Sequence, residues 1–294
     1  MKSLVALIKR EYIEHKGAFV FAPGIILALL TIILVGSIVT HRFEMAYEVG
    51  APSALKFFEF GFLGVSALWF VYLMATLFFY YADAFNADRR NNAMLFWKSM
   101  PVTDFKILGS KMLAGMTIFP AIIFAASLVT GLLVYFTTMA AVLVFPRINL
   151  PGFDNFAVSA WSIASFDLVY LVLALLWYAP FFAWVGALSA VVGRWSIPLA
   201  FLIPALVGLA ENVIFNLGGP RGGYVLNYLR ERFHFGDGDD HEMTWFFTDG
   251  PIDTGRMFGN LLASIDWSQL IGGLIVAALL VYAASEYRRR IVAT

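Results

Sequence analysis

The chain contains no cysteine, and charged residues make up only 14% of its 294 residues. The lack of cysteine excludes disulfide bonds and thiolate metal sites. A typical soluble domain is about 25% charged and about 45–50% apolar, whereas this chain is 61% hydrophobic with a mean hydropathy of +0.78. A soluble core cannot hide that much apolar surface, so the sequence indicates a protein of the lipid bilayer.

Several functional signatures are also missing. The net charge is zero, so no overall field favours nucleic acid. The sequence has no G-x-x-x-x-G-K-[ST] phosphate loop, no H-E-x-x-H zinc motif and no G-x-S-x-G nucleophile motif. The chain is therefore not expected to be an enzyme, to hydrolyse ATP by itself or to hold a metal.

Long apolar runs predict an all-α polytopic membrane protein with six transmembrane helices, since one span needs about 20 apolar residues. The predicted spans are 18–40, 61–82, 112–145, 167–193, 195–217 and 267–286. Pro120 lies within the long third span and predicts a kink or break there. Asp83 and Asp167 are expected to be solvated residues at span ends. Gly193 and Arg194 are nearly all that joins the fourth and fifth spans, which predicts a tight hairpin.

Orientation follows from the positive charges. With the N-terminus inside, 13 of the 20 Lys and Arg residues fall in cytoplasmic segments. We therefore expect both termini, and residues 83–111, to be cytoplasmic in a bacterial inner membrane. Residues 218–266 then lie outside. Residues 1–17 predict an amphipathic helix at the membrane surface, although a basic flank that only fixes topology fits the sequence equally well.

Residues 83–111 combine charge, aromatic side chains and a proline stop. Pro101 predicts a break between two short helices, and Thr103 or Asp104 is suited to capping the second one. Exposed Phe96 and Trp97 beside basic residues fit either a lipid interface or a groove on a partner protein. The residue pattern by itself does not separate these two alternatives.

The run LFWKSMPVTD at 95–104, followed by Gly109-Ser110-Lys111 at the start of a span, resembles the ABC-2 type transporter permeases. The six-span plan and the basic N-terminal helix are similar as well. The sequence departs from the family pattern at Asn91-Asn92, where a Gly-Thr type pair is frequent, and at Asp88, where Glu is more usual. The resemblance implies a permease that exports a hydrophobic or amphipathic substrate such as a lipid, a peptide antibiotic or a drug.

The resemblance also implies partners. Residues 83–111 would be a coupling loop that docks on a separate ABC-type ATP-binding subunit, which would hold ATP and magnesium. A second permease copy, identical or paralogous, would complete the transporter. The residues implied in ATPase coupling are Arg89, Arg90, Phe96, Trp97 and Lys98.

Glu211 interrupts the fifth span, with Asn212 and Asn216 nearby, and these three residues are candidates for a substrate path. A carboxylate near the outer interface that reaches water is the competing interpretation. Aromatic residues of the second span are further path candidates, although packing or lipid contact is the favoured role for any single one of them: Trp69, Phe70, Tyr72, Phe78 and Tyr80. The acidic and histidine-rich run 234–242 is expected to be a solvated loop, with ligation of a divalent cation as the less favoured alternative.

Two other functions compete with the permease hypothesis. A stand-alone secondary transporter would use Glu211 as its ion or proton site. An intramembrane hydrolase is the weakest hypothesis, because all four histidines, His15, His41, His234 and His241, lie outside the predicted spans.

Overall fold

The computed structural model describes residues 2–40, 53–90, 102–144, 152–215, 223–233, 235 and 250–291. These residues form helices and no strands, which confirms the all-α class. The helices are α1 (Lys2–Glu14), α2 (Ala22–Val39), α3 (Ala54–Arg90), α4 (Asp104–Met116), α5 (Ile118–Val144), α6 (Phe153–Val192), α7 (Ser196–Phe215), α8 (Tyr224–Phe233), α9 (Thr254–Ser264) and α10 (Trp267–Ile291).

Five helical stretches in the described residues are long and apolar enough to cross a membrane. Their bounds are Gly17–Val39, Ala54–Asp88, Asp104–Val144, Phe153–Ile214 and Trp267–Arg290. The chain is therefore a multi-pass membrane protein by the length and composition of its helices. The fourth stretch has 62 residues and contains both α6 and α7.

The bundle is organised around α6. Helices α3 and α10 pack along α6, α5 packs along α3, and α2 packs on α5. A buried hydrogen bond of 2.9 Å from Trp69 Nε1 to Thr130 Oγ1 joins α3 to α5. Helix α2 is the most peripheral span, because only 11% of its most apolar window is buried.

The third apolar stretch is broken, as Pro120 predicts. Helix α4 ends at Met116 and α5 begins at Ile118, with Thr117 between them at φ −127° and ψ −68°. Proline has no N–H, so the Met116 carbonyl, four residues earlier, loses its normal helical donor. The ladder resumes when the Ala121 N–H donates to the Thr117 carbonyl at 3.1 Å.

A tight turn joins α6 to α7. Gly193 has φ +60° and ψ −123°, a conformation that residues with a Cβ rarely adopt. After this turn α7 folds back on α6, and Trp184 Nε1 donates to the Ala200 carbonyl at 3.3 Å. The predicted hairpin at Gly193 and Arg194 is present.

Two helices extend beyond their predicted spans. Helix α3 continues through Asp83, which is 43% exposed and pairs with Arg90. Helix α6 begins at Phe153, so Asp167 lies well inside it. The prediction that Asp167 is a solvated boundary residue is wrong, because its Oδ2 is buried between helices. The prediction took the end of a charge-free run as the end of the helix.

At the end of the bundle where α3 begins, Glu59 is fully buried and joins three parts of the chain. Lys56 Nζ lies 2.8 Å from Glu59 Oε2. The Ile252 N–H donates to Glu59 Oε1 at 2.8 Å, and the Ser159 hydroxyl donates to the same oxygen. This arrangement satisfies a buried carboxylate and fixes residues 250–253 against α3 and α6.

Candidate functional site at the charged end of the bundle

Four helices, α1, α3, α4 and α10, meet at the opposite end of the bundle, where α3 ends and α4 begins. Six charged side chains from these helices lie close together there, and we call them the charged cluster. Its members are Arg10, Glu11, Asp88, Asp104, Lys111 and Arg288.

Glu11 and Lys111 form the part of the charged cluster that joins α1 to α4. Lys111 Nζ lies 2.8 Å from Glu11 Oε1, and the two side chains are 1% and 3% exposed. The Tyr80 hydroxyl lies 3.0 Å from Glu11 Oε2 and 3.1 Å from the Lys111 carbonyl. Glu11 therefore has a cation on one carboxylate oxygen and a hydroxyl donor on the other.

Arg288 forms the second part. Its Nη1 donates to Asp88 Oδ2 at 2.9 Å, and its Nε lies 3.0 Å from Asp104 Oδ1. The contact with Asp104 is an ion pair rather than an aligned hydrogen bond, since Nε finds no acceptor of good geometry among the described residues. Arg288, at the end of α10, thus contacts both the last turn of α3 and the first residue of α4.

Longer contacts unite the two parts. Lys111 Nζ lies 3.9 Å from Asp88 Oδ2, and Arg10 Nη2 lies 3.8 Å from Asp88 Oδ1. The charged cluster contains three cations and three carboxylates, so its formal charges balance. Burying an ion is costly unless it is paired. Each member of the charged cluster therefore lies within 4 Å of a group of opposite charge.

Local sequence explains how the helices reach this arrangement. On α1, Leu7 and Glu11 are one turn apart and form the buried face, whereas Val5 is 64% exposed. Thr103 is the N-cap of α4 and accepts the Lys106 N–H through its side chain, as predicted. Lys106 Nζ donates to Ser3 Oγ at 2.5 Å, which joins the start of α1 to α4.

The residues predicted to couple to an ATPase lie beside the charged cluster in sequence. Arg89 is in the last turn of α3, and its side chain lies outside the described part of the chain. Arg90 is 59% exposed and makes two hydrogen bonds with Asp83, at 2.5 and 3.0 Å. Phe96, Trp97 and Lys98 lie outside the described residues.

The predicted substrate-path residues lie elsewhere. Glu211 is on α7, about 22 Å along the helix from its start beside Ala82. Its Oε2 accepts the Val225 N–H at 2.9 Å, so Glu211 caps the N-terminus of α8. Asn212 Oδ1 is buried and has no hydrogen-bond partner within the described ranges. Asn216 lies outside those ranges.

Sequence reasoning treated Lys111 and Arg288 as topology signals and gave no role to Glu11. Lys111 and Glu11 are 100 residues apart, and no local pattern predicts such a pair. One signal was available, because Glu11 is one helical turn from Leu7 on a face that also carries Leu4 and Ile8. A carboxylate on an apolar helical face indicates a buried partner.

Comparison of the chain with protein-family models, with curated proteins and with solved structures finds no match. In sequence, two members of the charged cluster flank residues 91–101, since Asp88 precedes them and Asp104 follows them.

Proposed function

We propose that the chain is the membrane-spanning permease subunit of an ATP-driven transporter of the ABC-2 type, and that it exports a hydrophobic or amphipathic substrate. The observation that carries the proposal is the position of Arg288 between two carboxylates. Asp88 precedes residues 91–101 and Asp104 follows them. A protein that presses on this segment would act on α3, α4 and α10 together.

The charged cluster also connects the segment to the N-terminal helix. Lys111 is two turns beyond Asp104 on α4, and its ion pair with Glu11 joins α4 to α1. The pair is buried, so solvent and salt screen it little. Displacement of residues 91–101 would therefore move α1 as well, which suits a loop that passes the closure of an ATPase to the membrane helices.

The charged cluster supports an even number of crossings. Arg10 near the N-terminus and Arg288 near the C-terminus both contact Asp88, so the chain begins and ends on the same side of the bundle. Five apolar stretches give six crossings if Phe153–Ile214 crosses twice, which agrees with its hairpin at Gly193. We infer six spans with both termini in the cytoplasm of a bacterial cell, because that side then carries most of the positive charge.

The sequence lacks a phosphate loop, so we assign ATP and magnesium binding to a separate ABC-type subunit. Aromatic anchors and arginines dominate many protein interfaces, and residues 89–98 supply both. In this proposal Phe96 and Trp97 anchor the segment in the ATPase, and Arg89, Arg90 and Lys98 face its acidic groups. A second permease copy, identical or paralogous, would form the other wall of the path.

Affinity purification of the tagged chain from its native membrane tests the docking. Wild-type protein should recover an ABC-type ATPase that mass spectrometry identifies. Trp97→Ala and Arg89→Glu should lose this ATPase, whereas Glu211→Gln should retain it. Failure of the wild-type chain to recover any such ATPase would contradict the proposal, and so would equal recovery by all four proteins.

A second measurement separates docking from transmission. Arg288→Ala should keep the ATPase bound but lose export, because both flanks of the segment lose their contact with α10. Arg289→Ala is the matched control, since Arg289 is 71% exposed and pairs with Glu286 on its own helix. Unchanged export by Arg288→Ala would show that the charged cluster does not transmit movement.

A stand-alone secondary transporter is the competing function. The secondary transporter would need Glu211 as its ion or proton site, but the Glu211 carboxylate already accepts a backbone hydrogen bond at the start of α8. The two functions differ in a direct assay with the purified chain in lipid vesicles. Transport that proceeds without an ATPase and stops in Glu211→Gln would establish the secondary transporter.

A further inference from the structure

A cavity of about 230 Å³ lies between the spanning helices α3, α5 and α6. Helices α5 and α6 both pack along α3 and scarcely touch each other, so the cavity occupies the gap between them. Its walls are mostly apolar and rich in aromatic rings, including Trp69, Phe70, Phe124, Phe166 and Tyr170. Phe70 and Tyr170 face each other across α3 and α6 with ring centroids 5.2 Å apart.

Three side chains bring polar atoms to this cavity: Ser66, Ser127 and Asp167. The two serine hydroxyls lie 3.0 Å apart and hydrogen-bond each other. Asp167 Oδ2 is buried and has no hydrogen-bond partner among the residues that the structure describes. The Ser66 hydroxyl also hydrogen-bonds the Asp167 carboxyl group, so three polar side chains are clustered within an otherwise apolar cavity.

Asp167 brings a carboxyl group to the cavity, and no side chain of opposite charge accompanies it among the described lining residues. No Lys, Arg or His is among the described residues that line it. An ionised carboxylate in such surroundings is costly unless a cation pairs with it. The cavity is therefore complementary to a ligand that carries positive charge.

The number of oxygen atoms in the cavity indicates which kind of cation it suits. Calcium takes 6–8 oxygen ligands and magnesium needs an octahedral set, whereas one carboxylate and two mutually bonded hydroxyls supply few oxygens. Aromatic faces attract ammonium groups and surround them without needing more oxygens. A zwitterionic lipid head group fits poorly, because its phosphate would meet no cationic side chain.

We propose that this cavity binds a small organic ammonium ion, with its nitrogen on Asp167 and its apolar groups against the rings of Phe70, Phe166 and Tyr170. The proposal rests on the permease function in one respect: the ion would be the exported substrate or its cationic part. The gap between α5 and α6 gives an amphipathic cation a lateral route into the bundle.

The first test uses the wild-type chain, purified in a neutral detergent without any ATPase. Its probes are benzyltrimethylammonium and the neutral isostere neopentylbenzene, in equilibrium dialysis. The cation should bind saturably and at least about tenfold more tightly than the isostere, since only the cation is attracted electrostatically to the Asp167 carboxylate and to the faces of the aromatic rings. Equal binding of the two probes, or no saturable binding of the cation, would overturn the proposal. Displacement by dodecylphosphocholine as effective as self-competition would overturn it in favour of a lipid head group.

The second test compares two isosteric variants on the same helix. Asp167→Asn should weaken benzyltrimethylammonium binding by about 10- to 100-fold, near the lower end of the range measured for close charge pairs. Asp154→Asn removes an exposed carboxylate from the first turn of α6 and should bind like wild type. Equal affinity of Asp167→Asn and wild type would refute the site. Neither binding assay involves residues 89–98, so the cation site and the ATPase docking can fail separately.

Discussion

Removing both partners of the Glu11–Lys111 pair should destabilise the protein much less than the sum of the two single removals. The Nζ–Oε1 distance is 2.8 Å and the side chains are 1% and 3% exposed. Breaking a buried pair typically costs about 3–5 kcal/mol, because one charge is left without compensation. In Lys111→Met the Tyr80 hydroxyl still lies 3.0 Å from Glu11 Oε2, so we expect the lower end, about 3 kcal/mol.

Lys111→Met, Glu11→Gln and the double variant form a double-mutant cycle with wild type. The expected costs of the latter two variants follow from the same contacts. Glu11→Gln keeps an oxygen for Tyr80 and leaves Lys111 3.9 Å from Asp88, so we expect a cost of about 2 kcal/mol. The double variant contains neither charge, and its cost should be about 2 kcal/mol, well below the sum of the two single variants, because neither charge of the pair is left without its partner. The coupling free energy of the cycle would then be about 3 kcal/mol.

Reversible unfolding of the purified chain in mixed micelles, titrated with SDS, measures these free energies. Glu14→Gln is the matched control on α1, because Glu14 pairs with Arg10 and the Glu14 side chain is 38% exposed. Exposed pairs contribute about 0–1 kcal/mol. Additive costs of the two single variants, or a Lys111→Met cost no larger than that of Glu14→Gln, would refute the view that this pair holds α1 to α4.

Two further predictions concern the start of α10. Ala substituted at Gly273 would place a methyl group against the Arg232 guanidinium, whereas Gly272 has open space around it. Gly273→Ala should therefore destabilise the protein by about 1–3 kcal/mol, and Gly272→Ala should not. Equal stability of the two variants in the same SDS titration would contradict this prediction. Asp266 has a pKa below its ordinary value, chiefly because the Ser268 hydroxyl donates to it. The stabilising effect of the Asp266 carboxylate is thus present above the unfolded pKa and lost as pH falls through the folded pKa. Asp266→Ala should therefore lower Tm at neutral pH and match wild type in acid. A pH-independent difference in Tm would refute a stabilising role of this carboxylate at the start of α10.

The sequence predicted those parts of the fold that depend on local chemistry. Apolar runs placed the spanning helices, Pro120 placed the break before α5, and Thr103 was a correct N-cap prediction. These features follow from hydropathy, from a missing N–H and from a hydroxyl near free backbone donors. Each needs information from only a few neighbouring residues.

The charged cluster and the cation cavity were beyond that reasoning. Glu11 finds Lys111, and Asp88 finds Arg288, at separations of 100 and 200 residues, so the pairs arise only from helix packing. Asp167 was placed at a span end because the apolar run was counted from the next residue. A helix can carry one carboxylate into its buried length when a neighbouring gap accommodates it, and hydropathy does not contain that information. The candidate site is therefore a product of tertiary structure.

The break at Thr117 divides one long apolar stretch into two mechanical parts. Helix α4 packs on α1, α3 and α10, with ion pairs to α1 and α10, whereas α5 packs against α2 and α3. With the Met116 carbonyl released from the ladder, α4 can tilt without bending α5. Helix α4 is then a lever about 20 Å long with its pivot at Thr117, and a tilt of about 10° displaces Asp104 by roughly 3 Å. A small push at the membrane surface would reach α10 while leaving the α5 wall of the cavity in place.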